Sequence, residues 1–200
     1  MIRRLALVLA LCLAAVPVWA GDAPQGVIGR FYGSLLATMK SGNQMGFRGR
    51  FDTLTPVIDG SFDMPEMTRG TLGSSVRTIT PDQMARVVEA FRRFTIASYA
   101  ANFNEFNGER FEVGETRVTS PGQAVVPTRL VPGDKTEPVE LDYVMHEDQG
   151  HWTVTDVLMQ GSVSQMAMRR SEFVSVLRRD GIDGLVETIN KKTAALAVKG

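Results

Sequence analysis

Residues 139–158 read VELDYVMHEDQGHWTVTDVL, and the fold turns on how they are read. Val139, Leu141, Tyr143 and Met145 alternate with Glu140, Asp142 and Val144. That period of two sends one set of side chains to each face of a strand. Asp148-Gln149-Gly150 is turn chemistry, and His151 to Leu158 resumes a β-branched, aromatic run. Two such runs across a short turn predict an antiparallel hairpin. Upstream, Arg110 to Thr119 and Ala124 to Val131 are two further strands, bounded by Pro121-Gly122 and Pro132-Gly133-Asp134. Four strands joined by short turns predict a meander with one face covered.

The cover comes from helices on either side of the meander. Val27, Ile28, Phe31, Leu35, Leu36 and Met39 recur at helical spacing, as do Phe47, Phe51, Leu54 and Ile58. Asp63-Met64-Pro65-Glu66 is a capping-box pattern for a short helix ending near Leu72-Gly73. Thr80-Pro81-Asp82-Gln83 is a stronger one, with proline at the first helical position. The long helix behind it turns Met84, Val87, Val88, Phe91, Phe94, Thr95, Ser98 and Ala101 inward and fades near Asn107-Gly108. After the strands, Ser162-Val163-Ser164-Gln165 is a third capping pattern. It opens a helix that stops near Gly181, and a last helix runs from Asp183 toward Ala197. Helices, antiparallel strands, then helices is an α+β order: five to six helices on one face of a curved sheet, with room for an apolar cavity between the layers.

Residues 1–20 read as an address. Arg3 and Arg4 precede an apolar run from Leu5 to Val16, Pro17 breaks it, and Val18-Trp19-Ala20 sets up a cut after Ala20. This is the layout of a secretory signal peptide. The one cysteine, Cys12, falls inside it, so residues 21–200 form a single cysteine-free domain. The whole chain of 200 residues balances 22 basic against 22 acidic side chains; without Arg3 and Arg4 the balance is 20 to 22, or −2. A nucleic-acid binder needs a basic surplus, so that class is excluded.

Catalytic patterns are scarce. His146, Glu147, Asp148 and His151 flank one turn and offer metal-ligand chemistry, but at no recognised ligand spacing. No nucleophile elbow, phosphate loop or dinucleotide fingerprint is present. Asp142 and Asp156 sit on neighbouring strands, where a carboxylate serves either as a base or as a hydrogen-bonded structural group. What stands out is apolar: nine of ten phenylalanines lie between Phe31 and Phe111. Phenylalanine builds dry walls and methionine fills irregular space, in a plain core as well as in a ligand cavity. No catalytic residue, metal or cofactor is expected.

Phe62-Asp63-Met64, Met67-Thr68-Arg69 and Leu72-Gly73, then Phe91-Arg92-Arg93-Phe94 and Ser98-Tyr99-Ala100, form a familiar order. Trp152-Thr153-Val154-Thr155-Asp156-Val157, Gly161-Ser162-Val163-Ser164 and Arg170-Ser171-Glu172-Phe173 continue it. Together they resemble the MlaC family of periplasmic lipid carriers, the toluene-tolerance auxiliary components of ABC transporters. The branch that looks most similar is the hopanoid-associated HpnM. The resemblance implies a nuclear-transport-factor-like cone of sheet and helices holding lipid tails. It also implies an inner-membrane ABC lipid transporter and an outer-membrane acceptor as partners, transient membrane contact and no catalytic residues. Two positions depart from phospholipid-carrying members. Ser74-Ser75-Val76 replaces the aromatics that often follow Leu72-Gly73, and Arg169 stands where those members tend to show tyrosine. A hopanoid, a squalene-like precursor and a phospholipid therefore all stay open as the lipid.

The candidate cavity walls are Phe51, Leu54, Ile58, Met67, Phe91, Phe94, Phe103, Val126, Leu141 and Tyr143. Periodicity separates inside from outside but not wall from filler. Two other classes remain beside the carrier. A small enzyme of the same cone-shaped fold would place Asp142, Asp156 or a histidine deep in the cavity. A ligand-free interaction module of a transporter would plug it with phenylalanine and methionine.

Overall fold

The computed structural model describes residues 23–134 and 136–199; the leader expected at residues 1–20 lies outside them. Helices α1 (Pro24–Lys40), α2 (Gly42–Ser61), α3 (Met64–Leu72) and α4 (Pro81–Asn102) come first, with a 3-10 segment at Gly73–Thr78 before α4. Strands β1 (Arg110–Val113), β2 (Arg117–Ser120), β3 (Gln123–Val126), β4 (Thr128–Val131), β5 (Val139–Asp148), β6 (His151–Met159) and β7 (Val163–Ser164) follow. Helix α5 (Gln165–Lys199) closes the chain. The order is the α+β order expected, and every pairing in the sheet is antiparallel.

Two of the four expected strands are broken. Arg110–Thr119 divides into β1 and β2, and Ala124–Val131 into β3 and β4. The breaks face each other, since Gly114 N donates to Pro127 O at 2.8 Å. Pro127 has no N–H to offer the ladder, so the paired ribbon turns a corner there. Beyond the corner β3 and β4 still pair with the same long strand β5, and β6 covers its other edge. A bulge opposite Val144/Met145 pairs Tyr143 with Val157 and Met145 with Val154. Both valines, three residues apart, thereby face the core, which a strict period of two forbids.

The capping patterns hold to different degrees. Thr80 and Gln83 form the full reciprocal box at the start of α4. At α3, Asp63 accepts from Glu66 N, but the Glu66 carboxylate pairs with Arg69 at 2.8 Å instead of reaching back. At α5 the cap lies two residues later than expected. Ala167 N donates to Ser164 Oγ at 2.9 Å, while Ser162 lies in the turn before β7. Helix α4 ends at Asn102 rather than near Asn107-Gly108. As expected, α5 comprises two helices that meet at Gly181, where the backbone leaves the helical region with a φ of 68° that suits glycine. Among the described residues, no helix is long and apolar enough to cross a membrane.

The core lies between the helices and one sheet face. Ile28, Leu35, Leu54, Ile58, Ile96 and Val126 are fully buried within it. Arg50 is buried too, and sequence patterning did not single it out. Its Nε donates to Ala100 O and a terminal nitrogen to Gly42 O, both at 2.8 Å. It thereby ties the end of α4 to the α1–α2 junction. Burial lowers its pKa from the usual guanidinium value.

Candidate functional site: an apolar cavity under helix α4

Between the helices and the sheet lies a half-open cavity of about 330 Å³. Small-molecule sites span about 300–1,000 Å³, so it stands at the lower end. One wall is a helical stripe of α4: Phe91, Phe94, Thr95, Ser98, Tyr99 and Asn102. Those positions follow the i, i+3, i+4, i+7 spacing that keeps a single helix face turned one way. The opposite wall is sheet, with Leu130 of β4, Val139, Leu141 and Tyr143 of β5, and Val157 and Met159 of β6. Tyr32 of α1, Phe62, Met67 of α3 and Phe103 complete the lining with Gln165, Met166 and Arg169 from the first turns of α5.

All three tyrosines of the chain line this space. Thr128 Oγ1 donates to Leu141 O at 2.5 Å, so the Tyr32 hydroxyl, 2.6 Å from Thr128 Oγ1, is the donor in that pair. Tyr99 and Tyr143 border the same space, close enough to Tyr32 for the three phenols to influence one another. Burial pushes all three phenols above their ordinary range, Tyr143 and Tyr99 well above it. Phenols held above their ordinary range stay neutral at neutral pH, so the aromatic part of the wall carries no charge.

Arg169 is the one charged side chain among the lining residues. Its guanidinium lies 4.7 Å from the centre of the Phe94 ring, a cation–π contact. Glu172 is 3.7 Å away, and that carboxylate has a closer partner in Lys192 at 2.5 Å.

Of the walls expected from sequence, Met67, Phe91, Phe94, Phe103, Leu141 and Tyr143 line the cavity. Phe51, Leu54, Ile58 and Val126 do not. Leu54 and Ile58 lie on α2, which packs against α1 and α4, one layer away. Phe51 packs on Phe47 with ring centres 6.1 Å apart, and Val126 is fully buried in the sheet. Tyr32, Phe62 and Tyr99 were missed. Continuing the α4 stripe two turns past Phe91 reaches Tyr99, whereas nothing local separates Tyr32 from its core neighbour Phe31.

The groups that an enzyme would use stand elsewhere. Asp142 points to the other sheet face and pairs with Arg117 at 2.6 Å. Asp156 holds the start of α5: its carboxylate accepts from Met166 N at 3.1 Å, Val157 N at 2.7 Å and the Ser164 hydroxyl. His146 and His151 are exposed, and the register sets them two rungs apart, opposite Thr153 and Asp148. Among the described residues, no three His, Cys, Asp or Glu side chains gather in a metal-binding group.

A protein-family model described as MlaC protein matches residues 30–191. The toluene tolerance protein ttg2D of Pseudomonas putida is 25% identical over 189 residues, covering 91% of this chain and 85% of that protein. Among solved structures, a phospholipid-binding protein from Ralstonia solanacearum, in complex with a phospholipid, is similar in fold. Its TM-score is 0.75 at 23% identity, over 87% of this chain and 98% of that one.

Proposed function

This chain belongs to the MlaC family, and on that premise we propose that it is a periplasmic lipid carrier, the soluble component of an ABC-type lipid transport system. In this reading residues 1–20 are removed on export. Residues 21–200 then move a lipid between an inner-membrane transporter and an outer-membrane acceptor, with transient membrane contact on the way. The observation that carries the reading is the cavity. It is apolar, half-open and walled by aromatic and aliphatic side chains from α4 and the sheet. The Ralstonia solanacearum protein of similar fold, described as phospholipid-binding, adds support.

The physical demand on a carrier matches these walls. Exposing a methylene to water costs about 0.8 kcal/mol, so a chain of about fourteen costs on the order of 11 kcal/mol. A carrier must offset most of that cost without binding so tightly that release fails. Dry walls with few polar groups do this, and transfer needs no catalytic group. Chain-like phospholipid tails, a hopanoid and its squalene-like precursor are the candidate passengers. The half-open cavity weighs against a plugged, ligand-free module.

Organic extraction of the purified protein, followed by mass spectrometry, is expected to yield lipid near one equivalent. The reading is overturned by protein that is repeatedly lipid-free and takes up none from vesicles after delipidation.

A further inference from the structure

We propose that an arginine-rimmed groove between the 3-10 segment Gly73–Thr78 and helix α5 is a docking surface for an anionic lipid bilayer. The inference rests on the carrier reading above and deepens it by naming the surface that makes the membrane contact. The groove, about 670 Å³, is lined by Arg170, Arg178 and Arg179 together with Ser74, Ser171 and Ser175, and none of its lining residues is acidic. Gly73, with a φ of 55°, carries no side chain, and the Arg170 stem lies across it: a Cβ there would meet Arg170 Cδ at 3.2 Å. Arg170 Nε also donates to Gly70 O at 2.7 Å, which fixes this edge of the groove to α3. Arg77 stands one 3-10 turn beyond Ser74, so the two share a face. Among the described residues, Arg77 and Arg178 make no hydrogen bond or ion pair. Arg179 is held by Asp180 at 2.7 Å.

Charge is unevenly spread over the molecule. Residues 73–78 and 165–180 carry five arginines against two carboxylates, while the rest of residues 21–200 has 15 basic and 20 acidic side chains. A positive face on an otherwise acidic body turns toward an anionic surface before contact. Met168, Ser171, Ser175 and Arg178 form one exposed stripe of α5, at i, i+3, i+7 and i+10. Met168, 57% exposed, is an apolar anchor at one end of that stripe. An apolar tip beside cations on an exposed helix face suits a bilayer interface, and the small serines between them let the helix lie close to the headgroups. An acidic peptide would meet the arginines but leave Met168 in water, whereas a bilayer offers phosphates to the one and an apolar layer to the other. Gln165, Met166 and Arg169, in the first turns of the same helix, line the cavity. Docking through the groove therefore brings the cavity within one helix diameter, about 10–12 Å, of the bilayer that supplies or receives the lipid.

The test is flotation of the purified protein with vesicles of phosphatidylcholine alone or of phosphatidylcholine mixed with phosphatidylglycerol. At about fivefold for each arginine brought to an anionic surface, Arg77, Arg170 and Arg178 should give the wild type about a hundredfold preference for the mixed vesicles. R77Q/R178Q should keep only about fivefold, since Arg170 alone then remains. R48Q/R110Q, which removes the same charge from α2 and β1, should match the wild type. M168S should bind both kinds of vesicle more weakly, and molar salt should erase the preference. The proposal is overturned if the wild type floats equally with both vesicles, if R77Q/R178Q keeps the full preference, or if M168S binds as tightly as the wild type. Capture of poly-glutamate without a preference for anionic vesicles would give the groove to an acidic protein and equally overturn the bilayer assignment. Lipid uptake keeps the two readings apart. R77Q/R178Q should reach the wild-type lipid content from mixed vesicles, only more slowly. A wild type that floats but takes up no lipid overturns the carrier reading and leaves the docking surface standing.

Discussion

Filling the cavity from its own wall distinguishes an empty space from a packed one. Ser98 stands midway along the α4 stripe, and its hydroxyl bonds only to Phe94 O, one turn back, at 2.8 Å. That carbonyl lies within the helical ladder, so losing the side-chain bond costs little. Ser98→Phe adds five heavy atoms to the stripe that lines this space, and a cavity of about 330 Å³, already near the floor of about 300 Å³ for small-molecule sites, then falls below it. In a filled core such an insertion costs about 1–3 kcal/mol. In a vacant apolar space, burying the ring instead stabilises by about 1–2 kcal/mol. At about 2–4 °C per kcal/mol for a domain of this size, the delipidated variant should melt about 2–8 °C higher than the wild type. Lipid recovered by extraction should fall about tenfold or more. A variant that melts lower and still carries its full complement of lipid would refute the reasoning.

Arg50→Met keeps the bulk of a side chain that is 2% exposed but orphans the carbonyls of Ala100 and Gly42. Urea unfolding should show a loss of about 2–4 kcal/mol with an unchanged m-value, and a loss below about 1 kcal/mol would contradict the assigned role. The tyrosines give a pH prediction: a raised folded pKa means that the unfolded phenol, ionising near 10, releases protons that the folded one keeps. Their contribution to stability is whole below about pH 10 and is lost as pH climbs toward the folded values. Phenolate absorbance near 295 nm should therefore appear only together with loss of helical circular dichroism, and phenolate in a protein that is still helical would refute the burial argument.

Much of the fold is legible because its signals are local. The capping box at Thr80 and Gln83 needs four residues, and the alternation from Val139 to Met145 needs seven; both survive in the structure. Where neighbours decide, local reading slips. Ser162 and Ser164 are equivalent as caps until Asp156, on the adjacent strand, takes the Ser164 hydroxyl and Met166 N and so sets the start of α5. The corner at Gly114 and Pro127 is a property of two ribbons meeting, and neither residue announces it alone.

The site divides along the same line. Sequence alone determined that Leu54 and Phe91 are both buried, because spacing along a helix reports which way a side chain points. Only the tertiary structure decided that Leu54 is sealed between α2 and its helical neighbours while Phe91 borders open space. Hydrophobicity drives both inward with equal force. Whether a buried side chain meets another or a vacancy depends on the distance between layers, which contacts far apart in the chain establish. Arg169 shows the same limit: in sequence it is one more charge on a helix, and it becomes a charge lining the cavity only because α5 begins beside Phe94.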